Sequence, residues 1–455
     1  MWILLLLLSL LQPSLGKVDF NNETKWEKVT VMHGSNFNDY FGSAVALDSD
    51  GMNVAISSYN GSRSQGKVVF FEARDEYLTT KTWNQTDVIE HEIASLNGQT
   101  QIAFSKGGQY FALARDFQLQ VYHLENKEWN MMSEVDRGDA LSRTIFDLDI
   151  SRHGDVLAVA TYEFGNGQVE IYQRNNTVDE WSLLGSHILT SGDNIKPIKI
   201  SLSQSGDKVA FSEESPEGSR IVRIFGYDEM TLEWVQLGDT LTETAPLDAF
   251  GKAVVLSEDG LTLAISAPFS DVMTEEKVLV NAGSVHIYQF NQETSNWIKL
   301  EDVLMGQDEY DSFGNSVDFA CNGTIIAVGN AHNLQKAQYV SVFQYSNSEW
   351  IQVGQSLTSD VFKDYFGFAL SLSESGKVLA VGAPGIAKNA QMRNSGLVTI
   401  YKYGIEKKEE VVPEPEEDEE IEIIIKVNPT SSAKCITYYH LSSLITFMVG
   451  FALWF

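Results

Sequence analysis

Short apolar runs, not long amphipathic stretches, organise this chain. Segments such as "LAIS" and "LAVG" are rich in Ala and β-branched residues and are bounded by Gly, Asn, Asp and Ser. That pattern predicts strands and tight turns and fails the helical period. One motif stands near both ends, as "DYFGSAVALDSDGMNVAISS" at 39–58 and "DYFGFALSLSESGKVLAVGAP" at 364–384. Degraded copies lie between them: "SKGGQYFALA" (105–114), "SRHGDVLAVA" (151–160), "SQSGDKVAFS" (203–212), "SEDGLTLAIS" (257–266) and "ACNGTIIAVG" (320–329). The seven turns carry Gly51, Gly108, Gly154, Gly206, Gly260, Gly323 and Gly376, about 54 residues apart on average, a repeat that determines architecture.

A third strand with alternating polarity follows each turn, from "KVVFFE" at 67 to "LVTIYKY" at 397. In six repeats a polar hairpin then leads to a Trp: Trp83, Trp129, Trp181, Trp234, Trp297 and Trp350. The seventh repeat has none, but Trp26 in "TKWEKVTV" precedes the first repeat in a context matching "EWVQLGDTL" and "EWIQVGQSL". An N-terminal strand that completes the last sheet closes a ring and removes exposed sheet edges. The expectation is an all-β, seven-bladed β-propeller of four antiparallel strands per blade, its Trp residues wedged between neighbouring sheets.

In blades one, five, six and seven the first strand opens with Asp-x-Phe-Gly, placing Phe41 and Gly42, Phe250 and Gly251, Phe313 and Gly314, and Phe366 and Gly367 at equivalent positions. Gly382-Ala383-Pro384 and Ser266-Ala267-Pro268 close second strands. This arrangement resembles the FG-GAP repeat of the integrin α-chain propeller, over residues 26–405. The resemblance implies a propeller whose strand 2 to 3 and strand 4 to 1 loops share a ligand-binding face. Such repeats often hold calcium between strands 1 and 2. Here those turns are short: Asp48 and Asp50 are the calcium candidates, but the remaining oxygen ligands are missing and a turn-stabilising Asx pair is the expected role. No cofactor is expected. The Asp before each Phe-Gly reads as a cap on the loop entering strand 1.

Both ends of the chain change the picture. Residues 1–16, "MWILLLLLSLLQPSLG", read as a secretory signal peptide, residues 17–405 as the propeller ectodomain, and residues 406–430 as an acidic, extended linker. Residues 431–455 end in an uncharged apolar tail, read as a GPI-attachment signal with Ser431 as the lipid site, or else a transmembrane helix. Asn22, Asn60, Asn84, Asn175 and Asn322 begin N-glycosylation sequons. The propeller is thus expected at the outer face of the plasma membrane.

A net charge of −30 argues against a nucleic-acid partner. The eight histidines fall in no metal-ligand spacing, and no nucleophile elbow or phosphate loop is present. Of the two cysteines, Cys321 reads as a small buried residue. The sialidase aspartate box is not matched, although an acidic chain always offers carboxylate pairs. The leading reading is a non-catalytic adhesion or recognition module for an extracellular protein or glycan. The alternatives are a glycan-acting enzyme on a propeller scaffold and a structural coat protein. The strand 2 to 3 loop at 267–283, "APFSDVMTEEKVLVNAG", is the longest such loop and can be read as a surface insertion or a ligand loop.

Overall fold

Seven antiparallel sheets follow one another along the chain; the strands of the first six run in sequence order from first to fourth, and the seventh takes its fourth strand from the N-terminal end. The computed structural model describes residues 25–404, apart from 61–64, 75–81, 93–100, 116–117, 136–142, 176, 178–179, 243–244, 246–247, 332–336, 360–363 and 388–392. The signal peptide, Asn22, the acidic linker, Ser431 and the apolar tail lie outside the described residues.

The first six blades are built from consecutive strands, as in blade one: Ala44–Leu47, Asn53–Asn60, Gln65–Ala73 and Trp83–Glu92. Blade seven combines Ala369–Leu372, Val378–Ala383 and Leu397–Tyr403 with the N-terminal strand Trp26–His33. That strand runs antiparallel to Leu397–Tyr403, with Trp26 opposite Tyr403 and His33 opposite Leu397. The ring closes as the displaced Trp26 predicts, and no blade is left with an open outer partner.

Hydrophobic burial lies between blades. Seven clusters of buried side chains each draw on two neighbouring blades, including blades six and seven around Trp26 and Leu379 and blades seven and one around Val29, Phe41 and Ile56. Trp26, Trp129, Trp234, Trp297 and Trp350 are buried in these seams, while Trp83 and Trp181 are half-buried. In blades three to six the outer strand is broken in two, and both parts pair with the third strand. In blades three, four and six the break frees a carbonyl for the next blade's indole. Trp234 Nε1 donates to Leu184 O (2.8 Å), Trp297 Nε1 to Leu237 O (3.1 Å) and Trp26 Nε1 to Val353 O (3.0 Å). The Leu-Gly or Val-Gly that follows a Trp in sequence is therefore the receptor for the following blade's Trp.

The turn glycines serve two needs at once. Gly376 has φ +66°, a region costly for any side chain, and a Cβ there would approach Ile325 Cδ1 of the preceding blade to 2.6 Å. Five of the seven turns also bury a serine beneath the glycine. Ser151 Oγ, for example, accepts from Val156 N (2.9 Å), and Ser105, Ser203, Ser257 and Ser373 repeat the bond. Blade one uses Asp48 in that place, and blade six replaces it with a 3-10 turn at Cys321–Gly323.

The Phe-Gly pairs have a packing reason as well. Phe41, Phe250, Phe313 and Phe366 are buried. The following glycine donates its N–H to its own second strand, as Gly42 does to Ser57 O (3.0 Å) and Gly367 to Gly382 O (3.0 Å). A Cβ on Gly382 would come within 2.2 Å of Gly42 O in the next blade, so the two glycine signatures face each other across a seam.

Candidate functional site

The ring has two faces. The strand 1 to 2 turns lie on one, here the turn face, and the strand 2 to 3 loops on the other, the loop face. Between them runs a central channel bounded by the first strands of all seven blades. Those strands are sheet edges, whose outward N–H groups need partners. Neighbouring blades supply several of them. Leu202 N donates to Asp149 Oδ2 (2.8 Å), Leu256 N to Ser201 Oγ (3.0 Å), Leu372 N to Asp318 Oδ2 (2.7 Å), and Leu47 N to Ser371 Oγ (2.9 Å).

At the turn face, the residue after each buried Ser, or its Asp48 or Ala320 counterpart, forms a second ring: Ser49, Lys106, Arg152, Gln204, Glu258, Cys321 and Glu374. Backbone bonds join these turns, among them Ser49 N to Lys106 O (2.9 Å), Arg152 N to Gln204 O (2.9 Å), Gln204 N to Glu258 O (3.0 Å) and Glu374 N to Ser49 O (2.8 Å). Their side chains meet across the channel. Arg152 of blade three reaches Glu374 of blade seven (2.9 Å) while donating to Gln204 Oε1 (2.7 Å). Lys106 of blade two donates to Leu372 O (3.1 Å) and lies 3.9 Å from Asp318.

Lys106, Arg152, Gln204 and Glu258 line a cavity of about 250 Å³, with walls that include Ile102, Leu148 and Val254. Its carboxyl groups are unusually basic. Burial pushes Asp149 up to about 7 against the lowering effect of its N–H donors. Burial, and then the charge of Glu374, pushes Glu258 up to about 7. Asp318 is raised by burial too, and Cys321 is pushed up to about 11, so its thiol stays protonated at neutral pH. Among the described residues, no three His, Cys, Asp or Glu side chains converge as metal ligands. The channel cluster escaped the sequence reading because its members are dissimilar. The available signal was the aligned column after the turn serine, which is mostly polar or charged.

The calcium candidates form a self-contained turn. Asp48 Oδ1 accepts from Met52 N (2.9 Å) and Asn53 N (3.0 Å), its Oδ2 from Asn53 Nδ2 (2.6 Å), and Asp50 Oδ1 from Met52 N (3.0 Å). The aspartates before Phe-Gly cap loops: Asp39 Oδ2 accepts from Asn36 N (2.8 Å), and Asp311 Oδ2 from Gln307 N (3.1 Å). Among the sequons, Asn84 and Asn175 are exposed. Asn60 ends its strand. Asn322 exchanges bonds with Asp259 of blade five, its Nδ2 donating to Asp259 Oδ2 (2.9 Å) and its Oδ1 accepting from Asp259 N (3.0 Å).

On the loop face, the segment 267–283 is not irregular. It contains a hairpin of Val272–Met273 paired with Val278–Leu279. Val272, Leu279 and Ala282 form its own small core. Three backbone bonds tie its return to the next loop: Tyr310 N to Val280 O, Ser312 N to Asn281 O, and Phe313 N to Ala282 O. Met273, 82% exposed, and its cross-strand partner Val278 point outward, near exposed Val280 and Tyr310. Around them stand Asp271, Glu275, Glu276, Asp308 and Glu309, with Lys277 paired to Glu309 (3.5 Å).

Solved structures share the fold. The β-propeller domain of Myceliophteria thermophila Cps50 (Swd1) aligns with TM-score 0.52 at 13% identity, over 83% of this chain and 99% of that one. Kuenenia stuttgartiensis hydrazine synthase aligns with TM-score 0.50 at 14% identity, over 76% of this chain and 93% of that one. At such identity the likeness concerns architecture alone. No family model matches the chain, and no curated protein does.

Proposed function

We propose that this protein is a cell-surface recognition module of the FG-GAP kind, held at the membrane by its C-terminal segment and binding an extracellular protein through its loop face. The hairpin of blade five carries this reading. A solvent-exposed apolar pair, held rigid by a private core and ringed by carboxylates, suits contact with a surface that presents apolar side chains among Lys and Arg. Blades four and five contain no sequon, so N-linked glycans would not cover the hairpin. The channel carboxylates and cations are largely committed to one another and to backbone N–H groups, which favours bracing over catalysis.

The test is binding of fluorescent tetramers of the protein to cells of the source organism, with and without a calcium chelator. The comparison is a variant whose residues 272–279 are replaced by Gly and Ser. Saturable binding that the variant loses, with its melting temperature retained, supports the reading. Equal binding by both proteins, or none by either, overturns it. Loss of binding in chelator would assign calcium a role that the short turns argue against.

A further inference from the structure

The channel's turn-face mouth carries a buried donor without a partner and, lining the same cavity, a half-buried carboxyl. Arg152 holds Gln204 by its Oε1, which fixes the amide so that Nε2 turns away from the guanidinium. That Nε2 is buried and has no hydrogen-bond partner. Glu258, the equivalent residue in the adjacent blade, is half-buried and lines the same cavity, where the charges of Glu374, Lys106, Arg152 and Asp259 act on it. Among the described residues, no hydrogen bond engages its carboxyl. A buried polar atom such as Gln204 Nε2 is rarely left unpaired, so it needs an explanation.

We infer that the channel mouth is a binding site for a small neutral polyhydroxylated molecule, a monosaccharide or polyol, whose neighbouring hydroxyls accept from Gln204 Nε2 and donate to Glu258. A hydroxyl both donates and accepts, so a vicinal pair satisfies an amide N–H and a carboxyl oxygen together. The apolar walls suit the C–H faces of such a guest. The cavity, about 250 Å³, falls below the roughly 300–1,000 Å³ of sites for drug-sized ligands, so the guest is small. An anion would meet Glu258 and Glu374, and a cation would meet Lys106 and Arg152, which leaves a neutral guest as the best electrostatic match. This site is on the face opposite the blade-five hairpin and does not depend on that hairpin's role.

The experiment is saturation-transfer NMR on the full-length chain in a phosphocholine detergent, with glucose, galactose, mannose, N-acetylglucosamine and glycerol as probes. At least one probe should give a saturable signal. Gln204→Glu retains an acceptor for Arg152 while removing the donor, and should weaken that probe by roughly tenfold. Glu258→Ala should do the same, and Met273→Ser, on the other face, should not. Melting temperatures monitor folding, and Glu258→Asp, which keeps the charge but withdraws the carboxyl, serves if Glu258→Ala does not fold. Absence of a saturable signal from all five probes would mean that the cavity holds water only and would overturn the inference. A signal untouched by the Gln204 and Glu258 variants would place binding elsewhere and would overturn it equally.

Discussion

Replacing Trp26 by Ala tests whether one side chain secures the whole ring. The indole is 2% exposed and sits 5.3 Å from the Tyr403 ring. Its Nε1 donates to Val353 O at 3.0 Å. Its backbone is gripped by Gln355, which accepts from Trp26 N (3.1 Å) and donates to Trp26 O (2.7 Å). Truncating a buried Trp costs about 3–5 kcal/mol in lost burial and cavity formation. The stranded Val353 carbonyl adds about 1 kcal/mol. Trp26→Ala should therefore lose about 4–6 kcal/mol, an appreciable share of the roughly 5–15 kcal/mol that holds a typical domain together. Trp26→Phe keeps most of the packing and should lose about 1–2 kcal/mol. Trp181→Ala, at a half-buried position whose indole donates to Ser133 Oγ (3.0 Å), should fall between the two. Urea denaturation followed by far-UV circular dichroism gives the three values on one scale. If Trp26→Ala unfolds within about 1 kcal/mol of the parent, the N-terminal strand is not the clasp and the closure argument fails. Removing residues 17–32 should have a larger effect than any of these substitutions, since it opens blade seven entirely.

Stability should rise as the pH falls from about 8 to about 5. Glu258 and Asp149 both titrate near 7 in the folded chain, above their unfolded values, so the native state binds the extra protons in that interval. Their contribution is fully present below the unfolded pKa and lost as pH rises through 7. Melting temperatures across this range should show it, and Glu258→Gln should flatten part of the slope. A melting temperature that climbs with pH over the same interval would contradict the burial argument. Gly376→Ala should destabilise by about 1–3 kcal/mol, because a positive φ and the contact with Ile325 both oppose a side chain; a chemical-denaturation midpoint unchanged from the parent would refute it.

Much of the fold was legible because each blade repeats the same local solution. Turn glycines, alternating strands and one Trp per blade recur at positions where backbone conformation and seam packing allow few residue types. The displaced Trp26 was informative for the same reason: a missing Trp at one end and a surplus one at the other imply closure. The Leu-Gly or Val-Gly after Trp181, Trp234 and Trp350 is visible in the sequence, but its role as a receptor belongs to the following blade and appears only when two blades are seen together. Lys106, Arg152, Gln204, Glu258 and Glu374 were harder still. They are far apart in sequence and chemically unlike, and they become neighbours only because the ring brings seven turns to one axis. The hairpin at 272–279 has two-residue strands, too short for alternation to register.

The last strand of the propeller also has a mechanical meaning. Leu397–Tyr403 is an interior strand, flanked by Val378–Ala383 on one side and Trp26–His33 on the other, both antiparallel to it. Tension applied through the chain beyond Gly404 pulls this strand along its own axis. The hydrogen bonds on both flanks then share the load in shear, and they cannot be peeled open one at a time. The clasp strand bears its share through those bonds, but neither of its own ends is pulled. A ring closed this way can be tugged by its C-terminal end without that pull opening the seam that completes it.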